Sequence, residues 1–390
     1  MKFQKLRYLL LASLLLTLTG CWDRQEINDV AFVMGTAIDK SDKQYRATLQ
    51  IALPGQLGGA GSKGGGGGTS GGKSYLMQSA EGKTLREINN RQQKANSREL
   101  NFAHRRVILV GEDMARSGIE PIIDILGRIP ENRLSALMIV TRGEAKKVME
   151  TDIPLEKFPS ESIRELALTS MKEPRSLKHV VNIMIADGVD LALPYAIVEK
   201  SDAKLIKMEG LAVFKNNKLR GFLKSDQATG ALLAMGEANQ PELVVPPPAG
   251  EEEIAVQIQE YKLDVKPIVN GDKITMKMSI EGRGVVVENE SNYDIDSEKN
   301  VQALEKKLNQ KIKDDILKAM DRLQNEYKAD VVGFGKIIYN EQPGEWKKIQ
   351  NRWGEIYPEV EVEVKADIHI ENLGAVITPL GRKESHLIND

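Results

Sequence analysis

Two segments of seventeen residues, "EIAVQIQEYKLDVKPIV" (253–269) and "DKITMKMSIEGRGVVVE" (272–288), alternate apolar and polar side chains over most of their length. Alternation puts every second side chain on one face of a strand. Only Asn270-Gly271 separates them, a pair that readily takes the positive φ values of a tight hairpin turn. The expected element is a long antiparallel hairpin with one apolar face, and such a face must be covered. A cover comes next in the chain. Val301, Leu304, Leu308, Ile312, Ile316, Met320, Leu323 and Tyr327 recur every three or four residues, one apolar stripe on a helix of about thirty residues. The stripe is expected to pack on the sheet rather than form a free coiled coil. "EWKKIQNRW" (345–353) reads as a second, short helix and "EVEVEVKADIHIE" (359–371) as a final strand.

The preceding residues have a different rhythm. "VAFVMGTAIDK" (30–40), "YRATLQIAL" (45–53) and "SYLMQSAEG" (74–82) read as strands. Between the last two lies the tract Gly55–Ser74, which has little to pack and much backbone entropy to lose, so it reads as a disordered hairpin loop at a domain edge. Thr84 and Glu87 have capping-box spacing at the start of a helix. The buried-type strand 105–113 is followed by a helix for which Ser117 and Glu120 have the same spacing, with Pro121 in its first turn. A strand at 133–143, a short helix at 144–151, helices near Glu161–Met171 and Ser176–Ala186, and a closing strand at 191–200 complete the run. Strands alternating with helices imply an α/β unit with some parallel pairing. Residues 201–250 read as a small hairpin and helix, turning at Asn216-Asn217, with the helix near Ser225, then a Pro-rich linker or edge crossing. The expected fold class is therefore mixed α/β (α+β): unequal domains at 21–200, 201–250 and 251–390, built of mixed sheets flanked by helices.

Residues 1–20 stand apart as a leader. Lys2, Lys5 and Arg7 precede an apolar run of about ten residues, Leu9–Leu18, half the length needed to span a membrane. Leu18-Thr19-Gly20-Cys21 is a lipobox: an aliphatic residue, two small residues that fit a protease groove, and a thiol able to form a thioether with a diacylglyceryl group. Cys21, the chain's single cysteine, is the expected S-diacylglycerol site and first residue of the mature protein, with N-acylation of its new amino group possible chemistry. The expected protein has no disulfide and is tethered outside the cytoplasm by two acyl chains, enough for stable attachment.

Charge and motifs narrow the function further. The formal net charge of −2 becomes −5 once the leader's three cations are removed, and no basic stripe with interleaved aromatics appears, so nucleic acid is a poor partner. "GGTSGGKS" (67–74) matches the phosphate-loop pattern, and "GTSGG" within it the nucleophile elbow. Both need a strand-turn-helix setting, and the next residues, "YLMQSA" (75–80), read as strand. The four histidines, His104, His179, His369 and His386, share no metal-ligand spacing. No catalytic residue, cofactor site or metal site can be nominated.

Seven stretches together resemble the Ger(x)C family, the lipoprotein C subunits of spore germinant receptors. They are "CWDRQEIND" after the lipobox, "VMGTAID" (33–39), "FAHRRVILVGEDMARSGIEPIIDILGR" (102–128), "GLAVFKNNKLRGFL" (210–223), "DVVGFG" (330–335), "EWKKIQNRWGEIYPEVEVEV" (345–364) and "GAVITP" (374–379). They run from Cys21 to Pro379, and the Gly55–Ser74 insertion departs from the pattern. The resemblance implies a three-domain mixed α/β protein without enzymatic activity, anchored on the outer face of the spore's inner membrane beside integral A and B receptor subunits. It favours an interaction subunit. The competing class is a solute-binding lipoprotein that captures the germinant itself; two similar lobes around a cleft would be expected there, and the chain instead reads as unequal units.

Overall fold

The computed structural model describes residues 29–372 except 43, 54–72, 130–131, 152–154, 200–204, 250–251, 292 and 296, together with Gln4. The runs "VILVG" and "LMIVT" form β5 (Val107–Gly111) and β6 (Leu137–Thr141), apolar and buried on both faces as strands inside a parallel sheet must be. Around them β1 (Val30–Ser41), β2 (Gln44–Ala52), β3 (Tyr75–Gly82), β7 (Ala192–Val198), β8 (Ile206–Lys215) and β9 (Lys218–Lys224) complete the order β3-β2-β1-β5-β6-β7-β8-β9. β4 (Glu99–Asn101) pairs beside the start of β1. The centre, β1-β5-β6-β7, is parallel, and antiparallel strands flank it on both sides.

Both faces of this sheet are covered. Ile108 and Val110 point towards α1 (Leu85–Lys94), α2 (Glu112–Ser117), α3 (Glu120–Arg128) and α6 (Leu177–Met184). The alternate residues, Val107 and Leu109, meet α4 (Ala145–Met149) and α5 (Pro159–Thr169). Thr84 caps α1 as its spacing predicts, accepting the Glu87 N–H at 3.1 Å, while the Glu87 carboxylate reaches one residue further back, to the Lys83 N–H at 2.9 Å. Ser117 does not cap α3. It ends α2, donating to the Met114 carbonyl, and the Ile119 N–H at the start of α3 is taken by the carbonyl of Asn217 at 3.1 Å. A hairpin turn a hundred residues away thus does the work expected of a local side chain.

β2 and β3 pair from Tyr45↔Gly82 to Ala52↔Tyr75, and the Leu53 N–H donates to Ser74 O at 2.8 Å. The chain is therefore pinned on both sides of the Gly-rich tract, of which all but Lys73 and Ser74 lies outside the described residues. Cutting Gly58–Gly72 to a few residues should change unfolding free energy in urea by no more than about 1 kcal/mol, because loop closure costs only about 0.6 kcal/mol per doubling of length.

The segment 201–250 is distributed rather than set apart. Its hairpin turns at Asn216 and Asn217, both at positive φ (49° and 59°), and its strands β8 and β9 extend the large sheet from β7. Its helix, α7 (Ser225–Ala234), lies on α8 (Glu298–Asp321), where Gly230 permits backbone contact: a Cβ there would overlap the carbonyl of Asp315. Its Pro-rich stretch contains β10 (Glu242–Val245), the edge of a second sheet ordered β10-β11-β12-β13.

In that sheet β11 (Ile254–Asn270) and β12 (Lys273–Asn289) form the long hairpin, with Gly271 at φ 63° in the turn. β13 (Glu361–Asn372) joins β12 in parallel. The stripe residues Leu304, Leu308, Ile312, Ile316, Met320 and Leu323 are buried in one core with Ile254, Ile258, Met276, Met278, Ile280 and Ile368, so the helix covers the sheet as its periodicity predicts. α8 ends in one π-helical turn, Arg322–Tyr327. Short helices α9 (Phe334–Glu341), α10 (Pro343–Ile349) and α11 (Trp353–Ile356) lead back to β13.

Candidate functional site: the joint between the sheets and an arginine-lined cleft

The stretch "DVVGFG" folds around its own first residue. Asp330 is fully buried; one carboxylate oxygen accepts the N–H groups of Gly333 (2.8 Å) and Phe334 (2.9 Å), and the other those of Gly335 (2.9 Å) and the Trp353 indole (3.1 Å). Gly333 sits at φ 83°, which turns the chain into α9. Burial pushes the Asp330 carboxyl up to about 6, against the pull of the amide donors around it.

This motif meets the large sheet's connections directly. The Asp330 N–H donates to Asp190 Oδ2 at 2.8 Å, the Asp190 N–H returns to the Asp330 carbonyl at 2.8 Å, and Lys215 Nζ holds the same Asp190 oxygen at 2.8 Å. Gly188 and Gly335 lie backbone to backbone. A Cβ on Gly335 would come within 2.7 Å of Gly188 Cα and 2.8 Å of both Trp346 and Trp353. The Lys336 N–H completes the joint on Gly188 O at 2.9 Å. A second tie runs from the fully buried Arg175, which donates to Ala192 O and to Glu237 at the end of α7. Asp39 of "VMGTAID" plays a local version of the same part, accepting the N–H groups of Ala145 (2.6 Å) and Lys146 (3.0 Å) at the start of α4.

Beside this joint, the outer strands of the large sheet and the π-helical turn enclose an open cleft of about 650 Å³. Tyr195 and Phe222 meet edge to face at 4.6 Å on its wall, and the Arg142 guanidinium lies 4.5 Å over the Phe222 ring. Tyr327 donates to Phe222 O at 3.1 Å and takes a hydrogen bond from Arg322 at 2.7 Å. Its ring fills the space where a Gly221 side chain would be, with 2.5 Å to the nearest ring carbon. Burial, then Glu209, pushes the Tyr195 hydroxyl up to about 12, so it stays a neutral donor. The charges of the cleft are mixed: Glu209 and Glu326 also line it, Arg142 pairs with Glu112 at 3.5 Å and Arg322 with Glu326 at 2.7 Å.

Cys21 and His386 lie outside the described residues. The remaining histidines stand in separate surroundings: His104 edge-on to Phe32 at 5.0 Å, His179 beside Arg175 and Glu173, His369 beside Glu305 and Asp367. Burial and then Arg175 hold His179 below its ordinary value. Lys73 leads into a strand, not a helix, so the phosphate-loop match lacks its required setting. Asp190 and Gly188 escape sequence reasoning, because their partners Asp330 and Gly335 are over a hundred residues away, and Lys215 does so because it acts through Asp190; Gly188 at φ 68°, in "ADGVD", carries a turn signal and nothing more. Among the described residues no helix is long and apolar enough to cross a membrane.

A chain of two mixed sheets, fastened by an Asp-Gly-Phe-Gly joint and a tryptophan pair, has close counterparts. Residues 23–198 match the family described as spore germination protein N-terminal domain, and residues 209–374 the family described as spore germination B3/GerAC-like, C-terminal. YfkR of Bacillus subtilis (strain 168), whose name marks it as a candidate spore germination protein, is 39% identical over 92% of this chain and 94% of its own length. Spore germination protein KC of the same organism is 28% identical over 96% of this chain and 98% of its own. The crystal structure of the GerBC protein superposes with a TM-score of 0.54, covering 90% of this chain and 100% of that one at 23% identity, a likeness of fold. The chain belongs to the GerAC-like, Ger(x)C family of spore germination proteins.

Proposed function

We propose that this protein is the lipid-anchored, extracytoplasmic C subunit of a spore germinant receptor, held by Cys21 on the outer face of the spore's inner membrane. There it docks on integral A and B subunits and helps turn nutrient binding into the germination response. The observation that carries this reading is the lipobox ending at Cys21 in a chain that belongs to the spore germination family. A tether raises the effective concentration of a membrane partner, so modest docking surfaces suffice. The joint at Asp330 supports the same reading, since a fixed angle between the sheets keeps surfaces on both in register for one partner. The work proposed is contact, with no reaction and no cofactor assigned.

The second reading, direct capture of a small nutrient, is favoured by the 650 Å³ cleft. Calorimetry separates the two. A soluble chain from Asp23 to Asp390 should show no millimolar-or-better binding of amino-acid or sugar germinants, and the anchored protein should co-purify with A and B subunits when these are present. Saturable one-site germinant binding, altered by Arg142→Ala in the cleft, would replace the first reading with the second.

A further inference from the structure

Arg105 stands out as a buried cation. It is 6% exposed, its Nε has no hydrogen-bond partner, and its guanidinium lies 4.6 Å over the Phe102 ring. Among the described residues no carboxylate pairs with it. A guanidinium held out of water without a counter-charge is unfavourable, and most buried arginines are paired. Deprotonation is no escape: burial pushes Arg105 down only to about 9, so it stays charged at neutral pH. The aromatic face beneath it fixes its plane but supplies no negative charge.

Arg105 lines a small cavity of about 120 Å³ together with His104, Arg106, Arg133, Ser135 and Arg164. Glu161 pairs with Arg106 at 3.5 Å and with Arg164 at 3.1 Å, and Glu165 also meets Arg164. Arg133, like Arg105, has no carboxylate partner among the described residues. Four guanidiniums thus face two carboxylates, and the two unpaired ones line the same cavity.

The chain's path explains why these groups converge. Arg106 immediately precedes β5, and Ser135 lies just ahead of β6. The parallel centre of the sheet puts the starts of β5 and β6 at one end, where Arg106 N–H also binds Met34 O of β1 at 2.7 Å. His104 packs on Phe32 at that same end. Phe32 is eleven residues beyond Cys21, a span of at most about 40 Å fully extended.

We propose that the cavity formed by Arg105, Arg106, Arg133 and Arg164 binds a phosphate-type oxyanion, as carried by an anionic phospholipid headgroup or a free phosphate. Planar guanidiniums suit the bidentate hydrogen bonding such oxygens accept, and the volume suits one tetrahedral anion. The headgroup source rests on the anchoring proposed above, because only a tether at Cys21 would keep this end of the sheet near a membrane. The oxyanion site itself does not.

Titrating the detergent-solubilised full chain with inorganic phosphate, at ionic strength matched with chloride, tests the site without reference to membranes. Phosphate should bind saturably, and Arg133→Ser should weaken it roughly tenfold, the loss of one strong charge-assisted contact. Arg133 is exposed, so its variant keeps the wild-type melting temperature in chloride. Arg105→Lys, which keeps the charge but loses the fork, should weaken binding as well. Absence of phosphate binding beyond chloride, or equal binding by wild type and both variants, overturns the proposal. Vesicles of phosphatidylglycerol and of phosphatidylcholine then assign the source, using the full chain with Cys21→Ala. Sedimentation with anionic vesicles only, competed by phosphate and lost in Arg133→Ser, identifies a headgroup; phosphate binding without sedimentation identifies a free anion. Failure of the Cys21 anchor would leave the phosphate titration unchanged.

Discussion

Asp330→Ala should destabilise the protein by about 4 kcal/mol, read as a lowered urea midpoint. The four N–H groups of Gly333, Phe334, Gly335 and Trp353 lose their acceptor inside a fully buried site. An orphaned buried donor costs roughly 1–3 kcal/mol, and water entering the vacated space would recover part of the total. Asp330→Asn, nearly the same shape, keeps one acceptor oxygen and should cost less than Asp330→Ala, because only the donors facing its amide NH2 are orphaned. The loss should also appear as faster proteolysis between the sheets, since Asp190 and Gly188 are held through this motif.

The sign of the pH dependence at Asp330 comes from its raised value. The native carboxyl titrates at about 6 against an ordinary 3.8, so the folded state holds this proton more tightly than the unfolded one. Its contribution to stability is complete below about pH 4 and is lost as pH rises through about 6. Asp330→Asn should flatten this part of the stability profile. A wild-type profile with the same slope as the variant between pH 4 and pH 7 would contradict the assignment.

Cys21→Ala should move the protein from the membrane pellet to the soluble fraction and abolish most of the nutrient response, with the fold intact. Each buried methylene of an acyl chain contributes about 0.8 kcal/mol to membrane binding, and one chain alone is marginal. Losing both acyl chains of the diacylglyceryl group therefore removes nearly all of the proposed anchorage. The fold should survive, because Cys21 lies nine residues ahead of β1, which begins at Val30. Circular dichroism and urea unfolding matching the wild type, alongside release from the membrane, is the expected pair of results. Retention in the pellet of a variant whose leader has been removed would refute the tether.

Local physics is readable in a chain, and non-local physics is not. The β11–β12 hairpin, the stripe from Leu304 to Leu323 and the turn at Asn216-Asn217 all come from period, burial demand and the few residues that tolerate positive φ. The leader, Cys21 and the family motifs are equally local, because they are patterns of neighbours. By contrast, Ser117 and Glu120 have capping spacing, yet the Asn217 carbonyl takes the first donor of α3. Spacing alone cannot tell which acceptor arrives from a hairpin a hundred residues away. The hairpin of 206–224 reads as part of a separate unit, but β7 offers it an edge of unpaired backbone groups, and pairing with that edge satisfies both.

From its sequence alone the chain determined its mixed α/β character, the long hairpin and the helix that covers it, its family, and the lipobox on which the proposed tether rests. Each depends on residues within a few positions of one another, where spacing maps directly onto geometry. Only the tertiary structure decided that Asp330 and Asp190 fasten the two sheets, that β13 lies parallel to β12, and that Arg105 is buried beside three other arginines with no counter-charge among the described residues. Those facts depend on which distant backbones approach within hydrogen-bonding distance, and on which charges then lose water. Both are set by how the whole chain packs, and neither leaves a period or a spacing to read.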